Sequence, residues 1–180
     1  FYDNPTWNVV PQLPDGTFLT NDLTTVGSGT ITGSSYSEML IGGNGNDTLS
    51  GLAGIDLIFG NGAADTLRGG DGDDFLYGGD GNDWIKGDFG SDFLKGGQGQ
   101  DKFVFFEMES ATDTIADFEI GVDKILISQT LLSQSGQTVS SLLNGASFDG
   151  TDGLIQIGDL SIKLIGVDPD KVASSDFFII

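Results

Sequence analysis

The chain has 180 residues, with 27 acidic against 7 basic ones for a net charge of −20, so nucleic acid and anionic membrane surfaces are poor partners and cations are the natural counterpart. A hydrophobic content of 38% with 13 Phe excludes a solvated acidic tail; the absence of Cys and His excludes a disulfide framework, thiolate and imidazole metal centres and every Ser-His or Cys-His catalytic pair. No stretch approaches the roughly 18–20 apolar residues of a membrane span, and the length suits one elongated repeat domain with caps rather than two globular units.

Residues 1–32 carry Pro5, Pro11, Pro14 and the turn Asp15-Gly16 outside any repeat register, which reads as an N-terminal cap or a linker from an upstream domain. The opening Phe1-Tyr2-Asp3-Asn4-Pro5 has neither an initiator Met nor the basic-then-apolar pattern of a signal peptide. We read the chain as a piece of a longer protein, whose export, if it is exported, would use another signal.

From Gly42 to Val104 a nine-residue register runs through seven copies. Each begins with Gly (Gly42, Gly51, Gly60, Gly69, Gly78, Gly87, Gly96) and has Asp sixth (Asp47, Asp56, Asp65, Asp74, Asp83, Asp92, Asp101). Each also has an apolar residue eighth (Leu49, Ile58, Leu67, Leu76, Ile85, Leu94, Phe103), and a degraded copy from Gly33 to Ile41 keeps Glu38 and Leu40. Glycines at the first, second and fourth positions permit positive φ, so six residues form a tight turn with converging carbonyls. The last three residues are extended and point the eighth inward, giving a thin apolar core. Carbonyls with carboxylates are the oxygen set that Ca²⁺ takes, whereas Mg²⁺ demands a stricter octahedron. A lone Asp in a glycine turn is ordinarily a turn-bonding residue. Two stacked rows of carboxylates, by contrast, repel one another unless cations lie between them.

The outward residues differ on the two sides. Leu57, Phe59, Phe75, Tyr77, Phe93 and Lys95 accompany one set of turns; Thr48, Ser50, Thr66, Arg68, Trp84, Lys86 and Lys102 accompany the other. An apolar stripe of this length calls for a cover: a flanking segment of the chain, with Phe1, Tyr2 and Trp7 as candidates, or a partner or carbohydrate on the aromatics. Beyond Val104 come Asp113, Asp117-Phe118, Gly121 and Asp123-Lys124-Ile125, then alternating strands at Leu154–Ile157 and Leu160–Ile165, and the close Asp176-Phe177-Phe178-Ile179-Ile180.

The nonapeptide resembles that of the RTX (repeats-in-toxin) family, G-G-x-G-x-D-x-(apolar)-x. The resemblance implies an all-β, right-handed parallel β-roll, two nonapeptides to a coil, with Ca²⁺ between turns stacked on one side. Carried onto this chain, one column is Asp47, Asp65, Asp83 and Asp101 and the other is Glu38, Asp56, Asp74 and Asp92, for about six sites at most. The turn residues Gly42, Asn44, Gly51, Gly60, Gly69, Asp71, Gly78, Asp80, Gly87 and Gly96 would complete them. Leu52, Asn61, Ala63 and Asp88 interrupt the glycine pattern, so the copies at Gly42, Gly69, Gly78 and Gly96 should anchor the best sites and those of Asp65 and Glu38 the weakest.

The Asp117 to Ile125 segment resembles the one that follows the last nonapeptide in this family. Asp117 and Asp123 either hold a further ion or act as turn and cap residues. The acid-then-hydrophobic tail is similar to the C-terminal end of type I secretion substrates, and otherwise reads as a terminal edge strand. The implied organisation is a linker (1–32), a β-roll (33–104) and a β-rich capping and secretion-signal region (105–180). The implied module is non-enzymatic and extracellular or at the cell surface, folds on meeting Ca²⁺ and uses the type I secretion machinery. An adhesin or polysaccharide-binding accessory module, contacting a cell-surface glycan, is the alternative.

Overall fold

Six-residue strands separated by three-residue turns, rather than six-residue turns joined by three extended residues, wind the chain into a flattened coil in the computed structural model, which describes residues 24–106 and 110–180. The suggested cover of Phe1, Tyr2 and Trp7 lies outside these residues. The strands before the C-terminal region are β1 (Thr24–Val26), β2 (Thr30–Thr32), β3 (Met39–Ile41), β4 (Thr48–Ala53), β5 (Leu57–Gly62), β6 (Thr66–Asp71), β7 (Phe75–Asp80), β8 (Trp84–Phe89), β9 (Phe93–Gln98) and β10 (Lys102–Phe105). They are followed by β11 (Thr112–Ile115), β12 (Lys124–Ile127), helices α1 (Gln129–Ser135) and α2 (Val139–Gly145), β13 (Ser147–Phe148), β14 (Gly153–Ile157), β15 (Leu160–Leu164) and β16 (Phe177–Ile179).

Odd and even strands sort into two sheets. One has the order β1-β3-β5-β7-β9-β11-β15-β14-β13 and the other β16-β12-β10-β8-β6-β4-β2. Within the repeats every pairing is parallel and offset by one coil, as in Leu49↔Leu67, Leu67↔Ile85 and Ile58↔Leu76. The result is an all-β parallel β-roll of about five turns.

The eighth positions form the core: Leu40, Leu49, Ile58, Leu67, Leu76, Ile85, Leu94 and Phe103 are all fully buried. Each coil therefore adds two apolar side chains to a file about one residue wide. Single coils lack a core of their own and are held only by their neighbours.

The register outlasts the nonapeptides at both ends. Upstream, β1 and β2 pair with β3 and β4 although residues 24–32 contain no nonapeptide. Downstream, β11 continues one sheet through Ile115↔Leu94 and β12 the other through Ile125↔Phe103. The expected strands at 154–157 and 160–165 are present as the antiparallel pair β14–β15, and β16 is an edge strand parallel to β12.

Two helices stand where only strands were expected. Both carry side-chain N-caps: the Ser128 hydroxyl accepts the Leu131 N–H at 3.0 Å and Thr138 accepts from Ser141 at 3.2 Å. Gly136, at φ 69°, closes α1 in the left-handed region. Their buried Leu131, Leu132 and Leu142 join the core cluster and occlude the end of the file. Among the described residues no helix is long and apolar enough to cross a membrane.

The aromatic stripe is a packed ladder on the odd sheet. Phe59 and Tyr77 stack at 5.0 Å between ring centroids, and Phe93 lies 6.0 Å from Tyr77 and 6.1 Å from Phe75. Leu57 beneath it is buried while Phe59, Phe75 and Tyr77 pack around it half-exposed. Burial pushes the Tyr77 hydroxyl up from its ordinary pKa.

Candidate metal centre

The sixth-position acids form two buried columns, linked coil to coil through their Oδ1 atoms. The Asp56 N–H donates to Asp74 Oδ1 at 2.7 Å, Asp74 N–H to Asp92 at 2.8 Å, Asp65 N–H to Asp83 at 2.8 Å and Asp83 N–H to Asp101 at 2.9 Å. Glu38 N–H donates to Asp56 and Asp47 N–H to Asp65, both at 2.8 Å. One oxygen of each carboxylate is thus spent on the backbone of the preceding coil. The other is not: Oδ2 of Asp56, Asp65, Asp74, Asp83 and Asp101 is buried without a hydrogen-bond partner. A buried carboxylate oxygen with no donor is costly, which marks a place for a cation.

The first-position glycines show where each Oδ2 points. A β-carbon on Gly69 would lie 2.2 Å from Asp74 Oδ2 and 2.6 Å from the Gly87 carbonyl oxygen; on Gly78, 2.3 Å from Asp83 Oδ2 and 2.6 Å from the Gly96 oxygen. Gly51 and Gly60 repeat this with Asp56 and the Gly69 oxygen, and with Asp65 and the Gly78 oxygen. Negative oxygens from two successive coils therefore converge with no proton donor between them. Burial, followed by the charges of neighbouring acids, drives their pKa values up from 3.8: to about 7 for Asp56, about 6 for Asp65 and about 9 for Asp74. Asp101 is likewise raised to about 7, with burial foremost, and Asp83 is raised by burial and Asp80. Among the described residues no three of His, Cys, Asp or Glu converge on one point, so any ion here relies on carbonyls as well as carboxylates. That donor set fits Ca²⁺.

The glycines have two different roles. None of the seven first-position glycines has positive φ; they are required because a β-carbon would occupy the oxygen cage. The conformational role assigned to them from the repeat belongs to the second and fourth positions, where Gly70, Gly72, Gly79 and Gly81 lie at φ 129°, 131°, 113° and 140°. The four interruptions are the only non-glycine residues with positive φ among those described: Leu52 at 84°, Asn61 at 78°, Ala63 at 69° and Asp88 at 75°. Their backbones have moved into the left-handed helical region, which a side chain tolerates at a cost of about 1–2 kcal/mol.

Gly72→Ala should therefore lower the melting temperature of the calcium-loaded chain, because its β-carbon would meet the Gly54 carbonyl oxygen at 2.0 Å. Ala63→Gly should raise stability by up to about 1 kcal/mol. Thermal melts in calcium test both, and a neutral Gly72→Ala would refute the account.

The interruptions leave the carboxylate geometry of their turns in place. Asp65, in the most degraded copy, has the same buried, unpartnered Oδ2 as Asp74. The intact copy at Gly42 differs: Gly43 and Gly45 lack positive φ, Asp47 Oδ2 accepts the Gly43 N–H at 2.6 Å, and Asp47 Oδ1 accepts from Gly29. Its upstream neighbour is the non-repeat segment 24–32, which Oδ1 still holds through Gly29, while Oδ2 bonds within its own turn. Glu38 behaves similarly, its Oε2 accepting the Ser34 N–H at 2.9 Å. The side chains of Asn44, Asp71 and Asp80 are exposed, apart from the buried columns, and Asp80 accepts from the Gln98 amide at 2.7 Å.

Both columns continue past the last repeat. Asp92 N–H donates to Asp113 at 2.9 Å and Asp101 N–H to Asp123 at 3.0 Å. Asp123 also accepts from Glu119 N–H at 2.8 Å, and Asp117 accepts from Gly96 and Gly97 N–H at 2.9 and 3.0 Å. Both oxygens of Asp117 and Asp123 are thus engaged by backbone donors, the pattern of turn and cap residues. Asp113 was missed because it follows Asp92 by 21 residues rather than 18. Its signature, an acid two residues before a buried Ile, was nevertheless present in Asp113-Thr114-Ile115 as in Asp123-Lys124-Ile125. A second ladder was also missed, at the fifth positions: Ser37, Asp73 and Asn82 side chains accept the N–H groups of Ile55, Ser91 and Gln100, one coil on, at 2.9, 2.8 and 2.8 Å.

A family model described as RTX calcium-binding nonapeptide repeat (4 copies) matches residues 41–76 and 68–103. Residues 41–103 are RTX calcium-binding repeats. Ca²⁺ is the ion these RTX repeats take. Among solved structures, the AlgE6R3 subunit of the Azotobacter vinelandii mannuronan C5-epimerase is similar in fold, with a TM-score of 0.51 and 24% identity over 83% of this chain and 82% of that one. The extracellular lipase LipA from Serratia marcescens matches at a TM-score of 0.42 and 18% identity over 86% of this chain, which spans 40% of the lipase chain. No curated protein matches the sequence.

Proposed function

We propose that calcium binding and folding are one event in this chain, and that the RTX module keeps a larger exported protein unfolded inside the cell and folds it outside. The observation that carries this reading is the pair of columns of buried, donor-less carboxylate oxygens. Without cations each added coil brings another buried negative charge beside the last, and burial alone pushes these acids away from ionisation. Bound Ca²⁺ would neutralise those carboxylates and complete the oxygen cages, so the ion's binding free energy becomes folding free energy.

The ligands we assign are Asp56, Asp65, Asp74, Asp83, Asp92 and Asp101 with the carbonyls of the first-position glycines one coil on. Asp47 and Glu38 form the N-terminal ends of the columns, and Asp113 and Asp123 the C-terminal ends. Residues 33–104 act as the ion-binding roll, 105–180 as the cap and export-signal region, and 1–32 as the linker. Export through type I secretion machinery and an extracellular or cell-surface location follow from a chain that stays open where free Ca²⁺ is scarce.

Circular dichroism during a calcium titration begun in chelator at pH 7.5 tests the central claim. Strand signal should be low at the start and rise cooperatively with calcium. Strand signal already complete in chelator would overturn it.

The aromatic ladder supports a second reading, in which the odd sheet contacts a cell-surface glycan as an adhesin or accessory module would. Glycan binding in calcium should then fall by about tenfold in Phe75→Ala and Tyr77→Ala, and binding unchanged in both would remove that face from consideration.

A further inference from the structure

The outer face of the even sheet carries four of the chain's 7 basic residues: Arg68 on β6, Lys86 on β8, Lys102 on β10 and Lys124 on β12. The register sets them among a graded series of rows. Trp84, Lys102 and Lys124 lie side by side across three strands, with the Lys102 ammonium 5.4 Å from the Trp84 ring. Two residues before them on the first two strands are the amides of Asn82 and Gln100. Two residues after them, Val104 pairs with Leu126 and Leu126 with Phe178.

Val104 and Leu126 are buried but lie outside the main core cluster, and Phe178 and Ile180 beside them are exposed by 51% and 44%. A groove of about 450 Å³ opens here, walled by Trp84, Lys102, Lys124, Leu126, Phe178 and Ile180. Amide, ammonium and apolar groups thus follow one another along a single shallow trough. Asp176 already neutralises Lys124 at 3.0 Å, which leaves Lys102 as the cation turned to the ligand side.

We infer that this groove binds a single-chain acyl carboxylate, a free fatty acid, with its head at Lys102 and its chain along Leu126, Phe178 and Ile180. On a chain of net charge −20 an anion is repelled almost everywhere, so a cation held against an indole at the head of an apolar trough selects for negative charge joined to hydrocarbon. The volume is in the range of small-molecule sites. A sugar would require hydroxyl partners along the whole trough, and the structure offers them at the Asn82–Gln100 end alone.

The test uses the calcium-loaded full chain carrying Trp7→Phe, so that emission reports on Trp84. Decanoate, short enough to stay soluble with calcium, is titrated against decanol and an oligogalacturonate. Decanoate should shift Trp84 emission saturably and bind about tenfold more tightly than decanol, and Lys102→Gln should abolish that difference. Phe178→Ala and Ile180→Ala should weaken decanoate and decanol alike, with strand circular dichroism in calcium unchanged. Equal binding of decanoate and decanol, retention of the difference in Lys102→Gln, or saturation by oligogalacturonate without decanoate binding would each overturn the inference.

Discussion

In chelator, the chain should hold more strand structure at pH 4.5 than at pH 7.5. Asp56, Asp65, Asp74 and Asp101 have pKa values raised from 3.8 to about 7, 6, 9 and 7 in the folded roll, first by burial and then by like charges. Each binds a proton more tightly folded than unfolded, so its contribution to stability is complete below about pH 4 and is lost as pH rises through about 6 to 9. The exposed Asp149 and the half-buried Asp152 shift the opposite way, through hydrogen bonds and Lys163, but lie outside the columns. Protons therefore substitute in part for calcium, and acid should rescue the ion-free roll. Far-ultraviolet circular dichroism at the two pH values, with melting temperatures, checks this. Strand content that rises with pH in chelator would contradict the buried columns. With saturating calcium the dependence should invert, because only ionised carboxylates ligate the ion.

Asp74→Asn should have effects of opposite sign in the two conditions. The amide keeps the oxygen that accepts the Asp56 N–H at 2.7 Å and loses a charge that burial strongly opposes. In chelator at pH 7.5 the variant should be more stable than the parent, by on the order of a few kcal/mol. In calcium it should be less stable, with the titration midpoint moved upward by about tenfold, because in the proposed sites Asp74 would face an ion on each side of its column. An Asp that served only as a turn-bonding residue would destabilise in both conditions when replaced. Parallel denaturant titrations with and without calcium separate the two, and destabilisation by the same amount in each would remove Asp74 from the ion sites.

Much of the roll could be read from spacing because a parallel coil translates sequence period directly into stacking. Leu49, Leu67 and Ile85 were placed inward by position within the nonapeptide, and all are fully buried. What spacing does not convey is how a turn responds to its neighbour. The unbroken turn at Gly42 and the broken one at Gly60 differ in the bonding of their acids because a turn takes its shape from the coils it stacks on. Asp65 lies between repeats, whereas Asp47 has segment 24–32 upstream. Asp113 escaped because an insertion displaced it from the period while leaving the acid and its buried Ile in phase with the sheet. The helices escaped for a different reason: seven residues such as Gln129–Ser135 are too short to display a helical period. They form because Leu131 and Leu132 close the end of the core, a demand visible only once the core exists.

The Oδ1 ladder gives the stack a direction. Every carboxylate holds the amide of the coil before it, as when Asp101 accepts from Asp83 and Asp123 from Asp101. Removing a coil from the C-terminal end strands the buried N–H groups of the column acids before it, whereas removing one from the N-terminal end strands strand and fifth-position N–H groups such as those of Thr66 and Ile55. The acid columns are thus polar, each coil offering a carboxylate acceptor to the coil on its Thr24 side. A chain emerging C-terminus first would present its coils from the cap toward Thr24, so that each newly exported column acid finds the carboxylate that accepts its amide already in place.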